Sequence, residues 1–402
     1  MTATADGPLA LYVTNITPYF LSHRLALAQE ARARGFRIAL VCGDVDQHGE
    51  RLASEGILPL KTSPVGRGVS PLGDLKAAWG LADHIRKTRP AVVHASGLKT
   101  ILLCALAGRI TRLPNVVCLI TGLGATYIND SPKSLLLRRV IETAIRPLLT
   151  RATVVFQNAD DRDYFLARRI CRADNSLVIK GSGVDPEEYA FHPEPKDDPP
   201  VVVLPARLLK SKGVVEFAEA AAMLKARGVS ARFALVGDLD PANPDALTEQ
   251  ELEALVRSGA VESWGYRKDM AAVFAEANLV CLPSYREGLP KALIEAASCG
   301  RAIVTTDVPG CREIVDHDRT GLIVPVKNPA ALADAMEALL SDPDRRRDMG
   351  RAGRAMVEAE CSHAVVTRRT ADLYAPGKPP ASRASSIAFT RRDKACTASA
   401  SA

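Results

Sequence analysis

Two carboxylates, Glu287 and Glu295, are set eight residues apart in the segment REGLPKALIEAASCG, residues 286–300. Pro290 favours the first position of a helix, alanine and leucine favour its body, and Gly300 is a typical helix terminator. Glu287 then precedes the helix and Glu295 lies inside it. An isolated pair at this spacing is often only a solvated helix surface. Carboxylates can also accept hydrogen bonds from paired hydroxyl groups, so the pair suits a sugar or ribose.

Positive charge is expected near these carboxylates. The segment PARLLKSKG, residues 205–213, follows an apolar run and carries Arg207 and Lys212 at a predicted turn from strand to helix. Gly288 and Leu289 offer backbone amides at the amino end of the predicted helix, which favours an anion through hydrogen bonds and the helix dipole. Two cations and a helix amino terminus suit a diphosphate. Together with the carboxylates, they predict a nucleotide-sugar site.

The elements that must position these residues alternate along the chain. Apolar runs of strand length alternate with segments of helical periodicity up to about residue 186, and again from residue 201. Such alternation predicts parallel sheets with helices on both faces. We therefore predict an α/β protein with two Rossmann-like domains that face each other across a cleft. Ligands are expected at the carboxyl ends of both sheets.

The same pattern gives the domain boundaries. The segment 187–200 is rich in proline and charge and is typical of a linker. A small, polar and basic tail without a packing pattern is predicted to be disordered. The predicted units are a first Rossmann-like domain (1–186), the linker (187–200), a second Rossmann-like domain (201–360), a helix returning to the first domain (361–375) and the tail (376–402).

Composition argues against several other functions. Most of the net charge of +6 comes from the tail, where five basic residues stand against one acidic residue, and only 5% of residues are aromatic. Because no basic stripe is interleaved with stacking side chains, we expect no nucleic-acid partner. Nine cysteines without a C-x-x-C pair indicate reduced thiols in a cytoplasmic protein. We expect neither a signal peptide nor a membrane span.

At this point the residues carry a resemblance. The second half resembles the donor-binding domain of family-4 retaining glycosyltransferases with the GT-B fold, whose mark is two glutamates separated by seven residues, as Glu287 and Glu295 are. Supporting segments are RLLKSKG, FALVGD, SWGYRKDM, TTDVPGCREIV and DRTGLIVPV. The first half resembles one branch of this family through SHRLAL, VVHASGLKT, LITGLGATY, VFQNADDRDYF and GSGVD. That branch assembles surface polysaccharides on undecaprenyl-diphosphate carriers, often from UDP-N-acetylhexosamines.

The resemblance implies an enzyme, a retaining and metal-independent hexosyltransferase that needs no cofactor. It would move a sugar, an N-acetylhexosamine or related hexose, from a UDP-linked donor to a lipid-linked or glycan acceptor bound by the first domain. Arg207 and Lys212 would bind the donor diphosphate, and the amides of Gly288 and Leu289 its distal phosphate. Glu287 would bind hydroxyls of the transferred sugar. These groups would carry catalysis.

The resemblance also implies the rest of the donor site. Glu295 would bind the ribose hydroxyls of the donor. The nucleobase would lie against the loop SWGYRKD, residues 263–269, which contains Tyr266 and Arg267.

The first domain departs from the commoner family pattern, in which a His-Gly pair follows one of its strands. Thr121 precedes Gly122 at that place, so a histidine contact to the donor is absent there. His94, at the end of a predicted strand, is a candidate to face the cleft and act in catalysis, although a lone strand-end histidine is as often structural. The other cleft candidates of this domain are Asn15, Thr17 and Lys99.

Alternatives remain at the level of the sequence. Asp238 and Asp240 form an Asp-x-Asp, the metal mark of the other major glycosyltransferase fold, but a turn after a strand explains them equally. TGLGAT matches G-x-G-x-x-G only in part, since Thr126 stands at its sixth position. No histidine or cysteine shows metal-ligand spacing. The alternatives are a non-catalytic nucleotide-sugar-binding or scaffold subunit and a nucleotide-dependent oxidoreductase.

The segment SPKSLLLRRVIETAIRPLL, residues 131–149, is the candidate membrane contact. In a helix, one face carries Arg138, Arg139, Glu142 and Arg146, and another carries Leu136, Leu137, Val140, Ile141 and Ala144. We predict that this helix attaches the protein to the anionic inner face of the plasma membrane. The alternative is an ordinary surface helix whose apolar face packs on the sheet.

Overall fold

The structure, a computed structural model, describes residues 7–63, 70–123, 127, 131–196 and 199–375. Two parallel α/β sheets, each covered by helices, account for most of them. The predicted fold class, α/β with two Rossmann-like domains, is confirmed. The predicted disordered tail, residues 376–402, lies outside the described residues.

The first domain contains seven parallel strands within its described residues. They are β1 (Leu9–Val13), β2 (Arg37–Cys42), β3 (Ile57–Lys61), β4 (Val92–Ser96), β5 (Asn115–Ile120), β6 (Thr153–Phe156) and β7 (Ser176–Val178). Their order in the sheet is β3-β2-β1-β4-β5-β6-β7. The helices between them are α1 (Thr17–His23), α2 (Leu25–Ala33), α3 (Gly49–Ser54), α4 (Pro71–Thr88), α5 (Leu98–Ala107), α6 (Pro132–Leu149) and α7 (Ala159–Ala167).

The second domain contains six parallel strands within its described residues. They are β8 (Val201–Pro205), β9 (Arg232–Val236), β10 (Glu262–Gly265), β11 (Leu279–Leu282), β12 (Ala302–Thr306) and β13 (Gly321–Val324), ordered β10-β9-β8-β11-β12-β13. The helices are α8 (Val214–Ala226), α9 (Glu249–Arg257), α10 (Met270–Glu276), α11 (Lys291–Ser298), α12 (Pro309–Arg312), α13 (Pro329–Leu340), α14 (Pro343–Met356) and α15 (His363–Ala371).

Burial explains why these runs form central strands. Every residue of β1, β4 and β8 is buried, because apolar side chains on both faces of the sheet pack against helices. One apolar layer lies on each face of each sheet, four layers in all. The rigid sheets therefore fix the loops that follow their strands.

In each parallel sheet, the order in which consecutive strands are added changes direction at one place. This switch lies between β1 and β4 in the first sheet and between β8 and β11 in the second, because these neighbours are followed by helices on opposite faces. A crevice opens at such a switch point, outside the carboxyl ends of the strands, and ligands of open α/β sheets bind there. The two crevices are the places to look for a site.

The linker is held in place by buried arginines. Arg346 forms an ion pair with Glu194 at 2.8 Å, and both side chains are 5% exposed. Arg354 donates to the carbonyl oxygens of Pro186 and Tyr189, and the fully buried Arg301 donates to backbone carbonyls. The prolines and charges that predict a linker therefore form one that is packed against the second domain.

The end of the described chain returns to the first domain. Helix α15 packs against α2, and Arg34 forms an ion pair with Asp372 at 2.7 Å. Tyr374 is 1% exposed and lies beside Tyr12 in the core of the first domain. The polypeptide thus crosses between the domains twice.

Some element boundaries differ from the sequence prediction. The helical periodicity of residues 21–34 predicts one helix there, but the helical segment begins at Thr17 and breaks at Arg24. The periodicity of residues 344–373 likewise predicts one helix, which is interrupted after Met356. The loop predicted over 263–269 begins only at Tyr266, because its first three residues belong to the edge strand β10. Short elements such as β3 and α12 have too few residues for a clear period.

Candidate active site

The two domains present their strand ends to each other, and the residues predicted for the donor site gather at the β8/β11 crevice. Lys212 follows β8, Glu287 follows β11, and Lys212 Nζ donates to Glu287 Oε1. Both side chains are largely buried. The contact between Lys212 and Glu287 could not be predicted from the sequence alone, since 75 residues separate them.

The helix after Glu287 has the predicted form. Pro290 stands at its N-cap, one position before the predicted one, and α11 begins at Lys291. Gly300 ends it at φ +75°, where its amide donates to Ala297 O and the next amide donates to Ala296 O. This pairing of the last carbonyls is a Schellman motif, which explains the glycine.

Glu295 lies inside this helix and is 6% exposed, so it is not a solvated surface residue. Lys291 Nζ lies 2.9 Å from Glu295 Oε1, one helical turn away. The hydroxyl of Tyr189, in the linker, lies close to the same carboxylate. Burial, followed by Glu295, raises the pKa of Tyr189, which keeps this hydroxyl protonated. Glu295 therefore lies at the junction of helix, linker and cleft.

Arg207 follows β8 and is half exposed. Its Nη1 lies 2.7 Å from Asp240 Oδ2, in the turn after β9. The amide of Leu239 donates to Asp238 Oδ1 at 2.9 Å, as in a turn. Among the described residues, no group of three or more histidine, cysteine or acidic side chains is arranged to hold a metal ion.

The predicted nucleobase loop is open to solvent. Tyr266 is 70% exposed, and Arg267 Nη2 lies 3.5 Å from Glu276 Oε1. Neither side chain is held towards Glu287 by a contact within the described residues. The assignment of these two residues to the nucleobase stays a prediction.

The two domains meet directly at Gly288. A Cβ atom built on Gly288 would lie 2.0 Å from the carbonyl oxygen of Thr121 and 3.0 Å from Gly122 Cα, so only glycine fits. Asn158 Nδ2 donates to Gly288 O at 2.8 Å, and Arg286 Nη2 lies 3.1 Å from Asp161 Oδ1. These contacts bring the predicted Thr121 and Gly122 beside the donor helix.

Asn158 was missed as a site residue. It lies inside VFQNADDRDYF and caps α7, where its Oδ1 accepts from the amide of Asp161 at 2.7 Å. Helix capping explains an asparagine at this place without any ligand. Only the fold shows that its other amide atom reaches the second domain.

His94 does not face the cleft, which corrects the prediction. It is 0% exposed, contacts the ring of Tyr12, and its Nδ1 lies 3.0 Å from the hydroxyl of Tyr374. Burial, followed by the charge of Arg24, lowers the pKa of His94 to about 3, so the ring is neutral. The residue sits in the middle of β4 rather than at its end, and Tyr374 covers it.

Of the remaining candidates of the first domain, Lys99 and Thr17 have partners within the same domain. Lys99 Nζ lies 2.5 Å from Asp74 Oδ2. Thr17 is buried, and its amide and hydroxyl donate to Asp44 Oδ1 at 2.9 and 2.6 Å. Asn15 follows β1, and its buried Oδ1 has no hydrogen-bond partner among the described residues.

This arrangement can hold an anionic, hydroxyl-rich molecule between two domains. One wall supplies the cations Arg207 and Lys212, the carboxylate Glu287 and a helix amino terminus, while the other supplies the loop of Thr121. Such a site binds phosphate by charge and sugar hydroxyls by carboxylate, and the second domain can cover the ligand.

Comparison with known proteins agrees with this geometry. A model described as glycosyl transferase 4-like domain matches residues 22–180, and one described as glycosyl transferases group 1 matches residues 185–356. The chain is 28% identical over 343 residues to N,N'-diacetylbacillosaminyl-diphospho-undecaprenol alpha-1,3-N-acetylgalactosaminyltransferase of Campylobacter jejuni, covering 82% of this chain and 88% of that protein. It is 22% identical to the capsular polysaccharide biosynthesis glycosyltransferase CapM of Staphylococcus aureus, covering 77% and 83%.

Solved structures share the fold. Sucrose-phosphate synthase from Thermosynechococcus elongatus superposes with a TM-score of 0.73 at 20% identity, over 92% of this chain and 98% of that one. WaaG, a glycosyltransferase involved in lipopolysaccharide biosynthesis, superposes with a TM-score of 0.69 at 15% identity, over 92% and 100%.

Fold, site and comparisons define the class: the protein is a glycosyltransferase of the GT-B type. More narrowly, its first half is a glycosyl transferase 4-like domain and its second half a glycosyl transferases group 1 domain.

Proposed function

We propose that the protein moves a hexose or N-acetylhexosamine from a UDP-linked donor to a sugar carried on a lipid diphosphate, with retention of configuration and without a metal. The observation that carries the proposal is the meeting of Lys212, Glu287 and the amino end of α11 at the β8/β11 crevice, opposite the first domain. Surface polysaccharide assembly is the corresponding process.

The contacts of the second domain support the donor side of the proposal. Glu287 is fixed by Lys212 at the mouth of the crevice, so its free oxygen can accept from hydroxyls of the transferred sugar. Glu295 is buried a helix turn and a half further in, which suits the ribose. Arg207 and Lys212, with the amides of Gly288 and Leu289, suit the diphosphate between the two sugars.

The chemistry asked of these groups is electrostatic. Breaking the bond between sugar and diphosphate leaves negative charge on the departing phosphate. Fixed cations and amides stabilise that charge more in the transition state than in the ground state. Arg207 and Lys212 can do so as they stand. Retention then requires the acceptor hydroxyl to attack from the face that the phosphate leaves, with a phosphate oxygen taking its proton.

The acceptor class is inferred from relatives. The name of the Campylobacter jejuni protein specifies a sugar on diphospho-undecaprenol as its acceptor, and CapM is named for capsular polysaccharide biosynthesis. This chain resembles the former over most of both lengths. We infer that its acceptor likewise joins a sugar to a polyprenyl lipid through a diphosphate.

Such an acceptor must be met at a membrane surface, and two helices support peripheral attachment. In α6, Glu142 faces the domain, where Tyr164 donates to it at 2.8 Å, whereas Leu136 and Val140 are 66% and 57% exposed. Part of the apolar face is therefore exposed, whereas Ile141 packs against the core of the domain. The exposed Arg139 adds positive charge beside it.

Helix α4 exposes a second apolar stripe, which was not among the membrane contacts predicted from the sequence. Leu72, Leu75 and Trp79 follow one another at helical spacing and are 84%, 57% and 60% exposed. Helices α4, α5 and α6 pack side by side on the same face of the sheet. A bilayer with anionic lipid is the partner that we propose for this face. No helix within the described residues is long and apolar enough to cross a bilayer.

The test is to incubate the protein with UDP-, GDP- and dTDP-sugars in EDTA, with and without undecaprenyl-diphosphate-linked sugars, and to measure nucleotide release. We expect release with a UDP-sugar and a lipid-linked acceptor, with the anomeric configuration kept in the product. Glu287→Gln should lower kcat/KM about 100-fold or more. The control Glu249→Gln, an exposed carboxylate in α9, should not. No release and no donor binding across the panel would refute the proposal.

A further inference from the structure

Buried polar atoms without a partner concentrate at the other crevice, between β1 and β4. Among the described residues, six buried side-chain atoms have no hydrogen-bond partner, and four of them belong to this region of the first domain. They are Asn15 Oδ1, Arg24 Nε, Ser96 Oγ and, deeper in the core beneath Tyr374, His94 Nε2. Because buried polar groups are normally satisfied, such a cluster indicates a place that a polar ligand completes.

Arg24 is the charged member of this cluster. It stands where α1 gives way to α2 and is 3% exposed, yet no carboxylate within the described residues forms an ion pair with it. Its Nη2 donates to the hydroxyl of Tyr19 at 2.9 Å. A guanidinium this deeply buried is costly unless an anion compensates it.

The topology brings Ser96 to the same crevice. His94 and Ser96 alternate on β4, so both point to the face on which α1 and α2 pack. Ser96 is the last residue of the strand and is 4% exposed, with its hydroxyl unpaired. Asn15 is in the loop after the neighbouring strand β1. A donor hydroxyl and a guanidinium at a switch point are the groups that bind phosphate.

The crevice also faces the second domain. Burial, followed by the charges of Arg24 and Lys291, lowers the pKa of His23 to about 4, so both cations lie near His23. Lys291 begins α11, the helix of the donor site. The cluster is therefore next to the interdomain cleft rather than at a remote surface.

We propose that Arg24 and Ser96, with Asn15 beside them, form a second phosphate-binding subsite, which takes the diphosphate of the lipid-linked acceptor. The proposal rests on the proposed function and adds residues to it. The cations assigned to the donor diphosphate, Arg207 and Lys212, belong to the other domain and the other crevice. An acceptor that carries its own diphosphate needs a separate anion site, and this crevice of the first domain supplies one.

A direct test uses inorganic pyrophosphate as the probe, in calorimetric titrations with saturating UDP. We expect the wild-type protein to bind pyrophosphate under these conditions. Arg24→Gln should weaken that binding at least about tenfold, as loss of a charge-assisted hydrogen bond would, and leave the affinity for UDP unchanged. Arg32→Gln, which removes an exposed charge from α2, is the matched control. Pyrophosphate binding that is absent with UDP bound, or unchanged in Arg24→Gln, would overturn the proposal.

Steady-state kinetics distinguish whether the subsite binds the diphosphate of the lipid-linked acceptor or that of the nucleotide donor. With an undecaprenyl-diphosphate-linked acceptor, Arg24→Gln should raise the acceptor KM about tenfold or more, whereas an octyl glycoside of the same sugar should react equally with both proteins. Equal losses with both acceptors would assign Arg24 a structural role. A parallel loss of UDP affinity would assign it to the donor.

Two safeguards keep the outcome decisive. If Arg24→Gln does not fold, Ser96→Ala and Arg24→Lys replace it, and unchanged pyrophosphate binding in both would overturn the proposal. If the donor panel shows no transfer, the proposed function fails, but the calorimetric titration still decides on the subsite, because it requires no turnover.

Discussion

The side chains of the donor site are held by partners that come from distant parts of the chain. Glu287 is paired with Lys212 and Glu295 with Lys291, so each carboxylate keeps a defined direction. A carboxylate held by a cation needs little reorganisation when a sugar hydroxyl donates to it. At this scale the site is preorganised by ion pairs.

His94 gives a pH prediction at the residue scale. Its pKa is about 3 in the folded protein against an ordinary 6.5. Below pH 6.5 His94 is protonated in the unfolded chain but stays neutral in the folded chain. The free energy of unfolding therefore falls as the pH falls towards 3. At pH 5 the loss is about 2 kcal/mol. Above pH 6.5 His94 contributes no pH dependence.

The measurement is urea unfolding of the wild type and His94→Asn between pH 5 and 7. The variant should be less stable at pH 7, and its stability should depend less on pH, because one titrating group is gone. The low pKa of His23 adds a slope of the same sign to both proteins, so the difference between them is the readout. The exposed His192 supplies the control, His192→Asn, which should keep the wild-type slope. An unaltered slope in His94→Asn would mean that His94 is not buried as a neutral ring.

At the scale of elements, helices α4 and α6 each turn several large apolar side chains outward. Helix α11 buries six consecutive residues, whereas α6 buries only Ile145 and Leu149 along its eighteen residues. Because exposed leucine and tryptophan side chains each gain free energy on leaving water, a stripe of them favours a lipid surface. This is the physical basis of the proposed attachment.

The element-scale prediction concerns flotation with vesicles of phosphatidylglycerol and phosphatidylcholine. The double substitution Leu75→Ser with Trp79→Ser should lower vesicle binding about tenfold or more, since two apolar side chains are lost from the contact. Raising the salt concentration should weaken the binding of the wild type as well.

The controls for this experiment lie on the second domain. Met223 and Val256 are also exposed, and their replacement by serine should leave flotation unchanged. Transfer to a soluble acceptor should survive in every variant. A wild-type protein that fails to float, or a Leu75 and Trp79 variant that floats fully, would remove α4 from the membrane contact.

At the scale of the whole molecule, the two domains touch through backbone as well as side-chain contacts. Gly288 meets Thr121 and Gly122, and Asn158 donates to Gly288 across the cleft. The C-terminal segment ties the chain back to the first domain through α15 and Tyr374. In this arrangement of the domains, the loop that precedes α11 is in contact with the first domain.

Gly288→Ala tests this contact. Its Cβ would lie 2.0 Å from Thr121 O, so the domains cannot reach the arrangement described here without shifting. We expect transfer to fall about 100-fold, because the reacting groups are misplaced, while the melting temperature changes little. Small-angle scattering with UDP bound should report a larger radius of gyration than for the wild type.

Gly49→Ala is the matched control, because nothing lies within 4 Å of a Cβ at that position and its φ is helical. It should keep both the wild-type activity and the wild-type dimensions. Full activity in Gly288→Ala would show that catalysis does not need the close approach of these two loops.

What the sequence determined by itself was local and periodic. The alternation of apolar strands and helical segments predicted two parallel sheets, because a strand buried on both faces has few polar residues. The placement of Glu287 before a helix and Glu295 inside it followed from Pro290 and Gly300, which act on their own turns. The helix over residues 71–88 was equally clear, since its period extends over eighteen residues.

Only the tertiary structure decided which residues meet. His94 and Ser96 lie on one strand, yet His94 is covered by Tyr374, some 280 residues away. The burial of Arg24 and the contact of Gly288 with Thr121 likewise depend on packing between distant segments. Side-chain type and spacing report the free energy of a local conformation, whereas partners far apart in the chain are chosen by the packing of whole sheets and helices.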